Sequence, residues 1–507
     1  MTVKPGARSI QNNLALNISK KVDLLAWYNK VVVKSEMIEG YNLPGFYILR
    51  PWAFSIWEFV QNCVGDLFVQ SNVKNVSLPL FVPFMDKLGE RYNTLAPHTT
   101  FLTHAGGNPV EYSIAIRPTS ESLVYSDFGR WCRSWRNLPF RINHWSNAVR
   151  WHEHPIPLLL SREFLLQEGY SGFTNREEAI NEVYKMLDIY TRVYNEYFAI
   201  PVLKGRKSEK GKLLGRDFST SLCIVANGRG IQGASSNHLG QYFSKNFDIY
   251  FDNPKNPGQK EYTWLTRYTL SIRSIGALVM VHGDDFGLIL PPKLAPFQVV
   301  IITNGISKHN KNITEIGDKL RDSGLRVEMD NREEMGRELV FHNNKYIINF
   351  YVSTEHKFEY WKLKGVPIIL EINPEYLKTK QILSIIRFNN QRHFVELNNL
   401  TEELKYLLEK LQNEMLKTKT DELNKRIELC LEWKHFLTGL ERQSILFSPF
   451  CGNIQCEKWI ETNSKLNGIL LNIPFEQPNE DFNNKKCINP NCNEKIEFFA
   501  LFGNCLC

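Results

Sequence analysis

Several signatures that would settle a function quickly are missing from this 507-residue chain. There is no GxxxxGK[ST] phosphate loop and no strand–GxGxxG–helix unit, so a nucleotide, if bound, is not cradled by either glycine-rich device. The absence of GxSxG removes the serine-hydrolase nucleophile elbow. No window reaches eighteen apolar residues; FQVVIIT and VPIILEI are short and read as buried strands, so no membrane span is expected. The opening MTVKPGARSIQNN lacks an apolar core, so no secretory signal is expected and the protein should be soluble and cytoplasmic. Internal repeats and low-complexity segments are also lacking. The charge excess is small: 61 Lys+Arg against 54 Asp+Glu gives +7, compatible with a nucleic-acid partner but far from polybasic.

What is present is an ordinary globular composition, 43% hydrophobic and 23% charged, on a chain too long for one core. Two to four domains are expected. After Pro51, apolar residues at Phe54, Trp57, Val60, Val64 and Phe68 keep helical spacing, and a shorter amphipathic helix is expected near Val22–Val33. A long amphipathic helix over 175–198 begins at Asn175, a suitable N-cap. Pro291-Pro292 marks a boundary near 290–296. Beyond it FQVVIIT, TEIGDKLRDSG, LRVEMD and VPIILEI alternate strand and helix, the pattern of a small α/β domain. Leu404, Leu407, Leu408, Leu411 and Met415 mark a surface helix in 401–439.

Chemistry concentrates in residues 114–168. IAIRPTSES and NAVRWHEHPIPLLLSREFLLQEG place Thr119, Glu121, Arg150, Arg162, Glu163, Phe164 and Glu168 among strand-like apolar runs. An isolated charge in a core costs several kcal/mol unless paired or liganded, so this segment reads as the floor of a polar pocket. Arg150 offers a planar fork suited to phosphate, and Phe164, across a Pro-containing hairpin loop, offers a face for a base. Arg273 in SIRSIG could cap the other side, or both arginines could form structural ion pairs. His152-Glu153-His154 beside Pro155 reads as a solvated loop, not a metal site.

Six of the ten cysteines fall in the last fifty-seven residues. Cys451-x4-Cys456 and Cys487-x4-Cys492 supply the four thiolates a tetrahedral zinc requires; Cys505 or Cys507 could replace Cys492, and free thiols are the plain alternative. The other four cysteines are scattered singly and read as reduced, buried thiols.

Taken in order, YILRPWAFSIWE, IAIRPTSES, VRWHEH, SREFLLQEG, GRKSEKGK, SSNHLGQYFS, SIRSIGALVMVHGDDFGLILPP and KGVPIILEI resemble prolyl-tRNA synthetases of the eukaryotic/archaeal type, from about residue 20 to the end. The resemblance implies an α+β and α/β multidomain protein: a class II antiparallel catalytic domain over 21–295, an α/β anticodon-binding domain over 296–400, and a helix with a zinc-binding α+β domain over 401–507. It implies a homodimeric ligase that forms prolyl-adenylate from L-proline and ATP, releases pyrophosphate and charges tRNA(Pro). No separate editing domain is expected between Glu121 and Arg150. By the same resemblance, Thr119, Glu121, Arg150 and Asn237 contact proline. Arg150, Arg162, Phe164, Gln232, Ser235, Ser271 and Arg273 contact ATP, with Arg150 and Arg273 catalytic. Mg2+ bridging the phosphates and structural Zn2+ follow as cofactors. Glu371 and Arg387 match the anticodon module without assigned bases.

The sequence also departs from that pattern. His152 replaces a motif 2 acid, Leu160 an arginine, Cys223 an acid, Asn237 a histidine and Leu166 a tryptophan, and His98 stands where an acid is expected. These changes support an alternative, a synthetase-derived tRNA- or partner-binding protein with impaired adenylation.

Overall fold

The computed structural model describes residues 14–83, 96–212, 215–253, 258–303, 311–332, 338–342, 345–349, 354–465, 467–478 and 485–506. Two compact units form, one from Met1–Met37 with His282–Leu411, the other from Ile38–Val281 with Gln412–Cys507.

The larger unit is built on strands β1 (Phe140–Val149), β2 (Glu163–Phe173), β3 (Leu203–Arg206), β4 (Phe218–Ala226), β5 (Arg229–Gly240) and β6 (Trp264–Ser271), in the spatial order β3-β4-β5-β6-β2-β1 with every pairing antiparallel. Its helices are α1 (Pro51–Gln70), α2 (Glu121–Trp131), α3 (Arg176–Arg192) and α4 (Arg273–His282). Pro51 opens α1 where its missing N–H is not required, and Trp52, Ile56, Trp57, Val60, Val64 and Phe68 form the buried face. Asn175 caps α3 by accepting the Glu178 N–H at 2.9 Å, and Ala179, Val183, Met186, Leu187 and Tyr190 are buried. The helical path continues from α3 as a π turn over Val193–Tyr197.

The sheet does not end at β3. Strand Ile469–Pro474 pairs with β3 (Ile473 with Arg206, Pro474 with Gly205), then Phe498–Cys505, Ile445–Phe450 and Ile427–Leu429 follow. The last described strand also borders this sheet directly, with Cys505 paired to Gly230 of β5. The expected helix after Thr401 runs Leu400–Asn424 and is followed by the short strand Ile427–Leu429 and a separate helix, Trp433–Glu441.

In the smaller unit, parallel strands Val327–Asp330, Val299–Thr303 and Ile368–Ile372 are extended by antiparallel Gln381–Ile386 and Arg392–Glu396. The amphipathic helix expected near the start spans Leu24–Lys34 and belongs here; Trp27 donates to the Asp284 carbonyl at 2.9 Å. Arg387 is buried and grips Asp284 through both terminal nitrogens at 2.9 and 2.6 Å, so it braces this unit from within. Among the described residues, no helix is long and apolar enough to cross a membrane.

Candidate active site

The β1–β2 hairpin fixes the first functional groups. Val149 pairs with Glu163 and Ala148 with Phe164, and the Arg150 N–H donates to Arg162 O at 2.8 Å, closing the ladder. Arg150 therefore stands one residue beyond β1. Its Nε donates to Pro118 O at 3.0 Å, and its guanidinium lies 5.2 Å from the Phe164 ring centroid. Opposite, Arg273 begins α4 and donates from Nε to Leu159 O at 3.0 Å, tying the hairpin loop to the helix start. Arg150, Phe164, Gln232, Ser235, Ser271 and Arg273 all line one cavity of about 410 Å3, as do His98, His152, Leu160 and Leu166. Burial, with Arg150, His98, Arg273 and Arg162 adding to it, pushes His152 down to about 4, so it is uncharged at neutral pH.

Thr119, Glu121 and Asn237 are not in the lining but in a buried polar network joined to it. Glu121 is the first residue of α2 and fully buried; Arg267 Nε lies 3.1 Å and Arg216 Nη2 3.6 Å from its Oε1. Arg267 also reaches Glu168 at 2.6 Å. Glu168 accepts from Thr119 Oγ1 at 2.7 Å, the Ser120 N–H at 3.0 Å and the Tyr170 hydroxyl at 3.1 Å. Burial opposes ionisation of Glu168, but the Arg267 charge and these donors prevail and hold it at about 2. Asn237 Oδ1 accepts from Arg216 Nη1 at 2.7 Å, and its Nδ2 donates to Arg267 O at 3.1 Å. Two carboxylates and two guanidiniums make this floor charge-balanced, with Arg216 and Arg267 exposed to the cavity above.

Arg162, expected to contact ATP, makes other contacts here. It is not among the cavity-lining residues: its guanidinium packs 4.1 Å from the Trp151 ring centroid and donates to His152 O at 3.0 Å and Pro44 O at 2.9 Å. Two backbone carbonyls and an aromatic face satisfy it on the outer side of the hairpin. Arg216, Arg267 and Lys207 are pocket residues that sequence reasoning missed. Arg267 had a readable signal, a lone charge inside the apolar strand WLTRYTLS.

At the far end of the unit, Cys451, Cys456, Cys487 and Cys492 bring their sulfurs within 4.8 Å of one another, all four buried. Cys505 instead lines a second cavity with Cys223, and Cys507 lies outside the described residues.

Residues 107–282 match the tRNA synthetase class II core domain (G, H, P, S and T), and 433–504 match the C-terminal domain of prolyl-tRNA synthetase. The chain is 36% identical to the cytoplasmic proline–tRNA ligase of Arabidopsis thaliana over 481 residues, covering 92% of this chain and 87% of that one. The chain belongs to the prolyl-tRNA synthetase family. Its fold superposes on the prolyl-tRNA synthetase of Cryptosporidium parvum complexed with halofuginone and AMPPNP, with TM-score 0.89, 34% identity and 97% of each chain covered. The same enzyme complexed with L-proline and AMP superposes with TM-score 0.88. The bifunctional glutamate/proline–tRNA ligase of Drosophila melanogaster is 36% identical over 98% of this chain, which spans only 30% of that relative's length.

The donor sets treat the two metals expected from this family differently. Four thiolates around zinc at about 2.3 Å sit about 3.8 Å apart, which the cysteine cluster accommodates. Burial pushes the Cys451, Cys456 and Cys487 thiols up, whereas at Cys492 burial is outweighed by the Glu494 N–H and the neighbouring thiols, which pull it down. Asn489 Nδ2 donates to Cys456 Sγ at 3.2 Å, an outer contact of the kind that orients a ligand. Magnesium finds no comparable fit: it prefers carboxylate oxygens, and the cavity lining holds none among the described residues.

Proposed function

We propose that this chain is a proline–tRNA ligase: it activates L-proline with ATP and transfers the prolyl group to tRNA(Pro). The observation that carries the reading is the cavity in which Arg150, Phe164 and Arg273 converge above the buried Glu121–Arg267–Glu168 network. A lining rich in cations and free of carboxylates among the described residues suits a polyanionic nucleotide. The family membership assigns the chemistry.

Adenine takes the Phe164 face that the Arg150 guanidinium covers here, which frees that guanidinium for the α-phosphate and the substrate carboxylate. Arg273 closes the opposite side, and Gln232, Ser235 and Ser271 hold the nucleotide along β5 and β6. The proline ammonium is placed by Glu121, with Thr119 and Asn237 orienting the floor. The prolyl carboxylate oxygen then bonds to the α-phosphorus while the bond to pyrophosphate breaks. A terminal ribose hydroxyl of the tRNA next attacks the prolyl carbonyl, and AMP leaves. No enzyme nucleophile takes part, so catalysis is positioning plus charge stabilisation.

In this reading 21–295 contain the catalytic domain, whose compact part is Ile38–Val281, 296–400 bind the anticodon, and 401–507 carry a structural zinc on Cys451, Cys456, Cys487 and Cys492. Cys451 at a strand end, Cys456 on a helix and the Cys487–Cys492 turn would hold the zinc, which would tie these segments together. The protein works as a cytoplasmic homodimer. Proline-dependent ATP–pyrophosphate exchange tests the reading. Exchange above background supports it, whereas folded protein that binds tRNA without exchange would favour a derived binding protein.

A further inference from the structure

The cation-rich cavity leaves one charge without an evident task. Arg267 neutralises the buried carboxylates, while Arg150 and Arg273 flank the position of the α-phosphate. Lys207, just beyond β3, donates from Nζ to Gln232 Oε1 at 2.7 Å, and among the described residues no carboxylate lies within ion-pair distance of it. An ammonium has three donors, so this bond leaves capacity for further acceptors. Lys207 and Gln232 line both the nucleotide cavity and the adjoining one of about 260 Å3, so the ammonium sits where the two meet. Directly across the β4–β5 ladder from Gln232 is Cys223, the position where the family pattern has an acid. A carboxylate there could pair with Lys207 or hold a hard divalent ion, for which the buried Cys223 thiol is a poor ligand.

We infer that Lys207 seats the β- and γ-phosphates of ATP and the departing pyrophosphate, supplying from the protein the positive charge that a carboxylate-held divalent ion would supply. This rests on the adenylation reading and extends it to the leaving group. It also explains how the family pocket tolerates Cys223: removing an acid from beside a phosphate seat frees the lysine charge for the ligand.

The surroundings of Lys207 make the seat pH-sensitive. Burial first, then Arg216 and Arg273, push its ammonium down to about 8, with Cys505 and Cys223 acting in the opposite direction. Lys210, Glu457 and Glu461 face the adjoining cavity. Its charge is therefore complete well below pH 8 and lost as pH rises through that value in the free protein, whereas bound phosphates retain the proton.

The test is titration calorimetry of ATP and of AMP on the full chain in magnesium-free buffer without chelator, so that the protein's own cations are read at the nucleotide and the cysteine cluster keeps its metal. Lys207→Gln should weaken ATP by about tenfold or more while changing AMP by less than about twofold, the size expected for losing a charge-assisted hydrogen bond. Lys207→Arg should restore most of the ATP affinity. Wild-type ATP affinity should fall above about pH 8, and that of Lys207→Arg should not. Equal weakening of ATP and AMP would assign Lys207 only to holding Gln232 and overturn the proposal, as would no change in either. If Lys207→Gln binds neither nucleotide, identical pH profiles for wild type and Lys207→Arg overturn it and divergent ones support it. Because binding is read without turnover, an ATP preference that persists in protein lacking exchange would sink the adenylation reading alone.

Discussion

Arg267 joins two buried carboxylates, Glu121 and Glu168, whose like charges could not both persist there without it. Breaking a buried pair leaves an uncompensated charge, so Glu168→Gln should cost about 3–5 kcal/mol at neutral pH, measured by denaturant unfolding. The sign of the pH dependence follows from the depressed Glu168 pKa. Its contribution is complete above 4.5, the ordinary value, and declines as pH falls toward about 2, so the stability gap between wild type and Glu168→Gln should narrow over that window. A gap unchanged down to pH 3 would contradict the pairing. For the hairpin, Arg150→Ala should abolish pyrophosphate exchange and leave tRNA binding largely intact; near-normal exchange would remove the α-phosphate role. The Arg150–Phe164 pair was legible in the sequence because both residues stand at the ends of two adjacent strands joined by one Pro-containing loop, and those strands pair in register at Val149–Glu163. The Arg162–Pro44 contact was not, because it joins residues 118 positions apart and no local pattern reports it.

At the scale of elements, two junctions decide whether the site and the C-terminal strands stay together. Gly205 of β3 faces strand Ile469–Pro474 so closely that an added Cβ would lie 2.3 Å from Ile473 O. Backbone cannot yield there cheaply, so Gly205→Ala should destabilise by about 1–3 kcal/mol, and protection from hydrogen exchange should drop first in Ile469–Pro474. Ordinary protection in that strand would mean that the junction adapts. The second junction is the cysteine cluster. Metal analysis of purified protein should find one zinc per chain, and Cys451→Ser/Cys487→Ser should lose it. Unchanged zinc in that variant would contradict the ligand set. Cysteine spacing alone left Cys492, Cys505 and Cys507 as alternatives, of which Cys507 lies outside the described residues. The fold separates Cys492 from Cys505 because Cys505 ends a strand paired with β5, whereas Cys492 folds back beside Cys456.

Over the whole molecule, the family resemblance implied an antiparallel region, and the Pro291-Pro292 break with alternating strands and helices beyond it marked a small α/β region. They could not foretell that the C-terminal strands extend the first sheet, because the Ile473–Arg206 pairing joins segments more than 260 residues apart. That continuity brings Cys505 and Lys207 to a shared cavity next to the nucleotide pocket. Under the proposed function the pocket offers the physical means: a Phe164 face for a base, Arg150, Arg273 and Lys207 for phosphate charge, and a charge-balanced floor beneath. The replacements at Leu160 and Cys223 leave this set of cations in place, which is why activity is the expectation. Proline-dependent ATP–pyrophosphate exchange by the purified full chain is the most direct measurement. The account predicts exchange that requires L-proline and disappears in Arg150→Ala; folded, ATP-binding protein showing no proline-dependent exchange would contradict it.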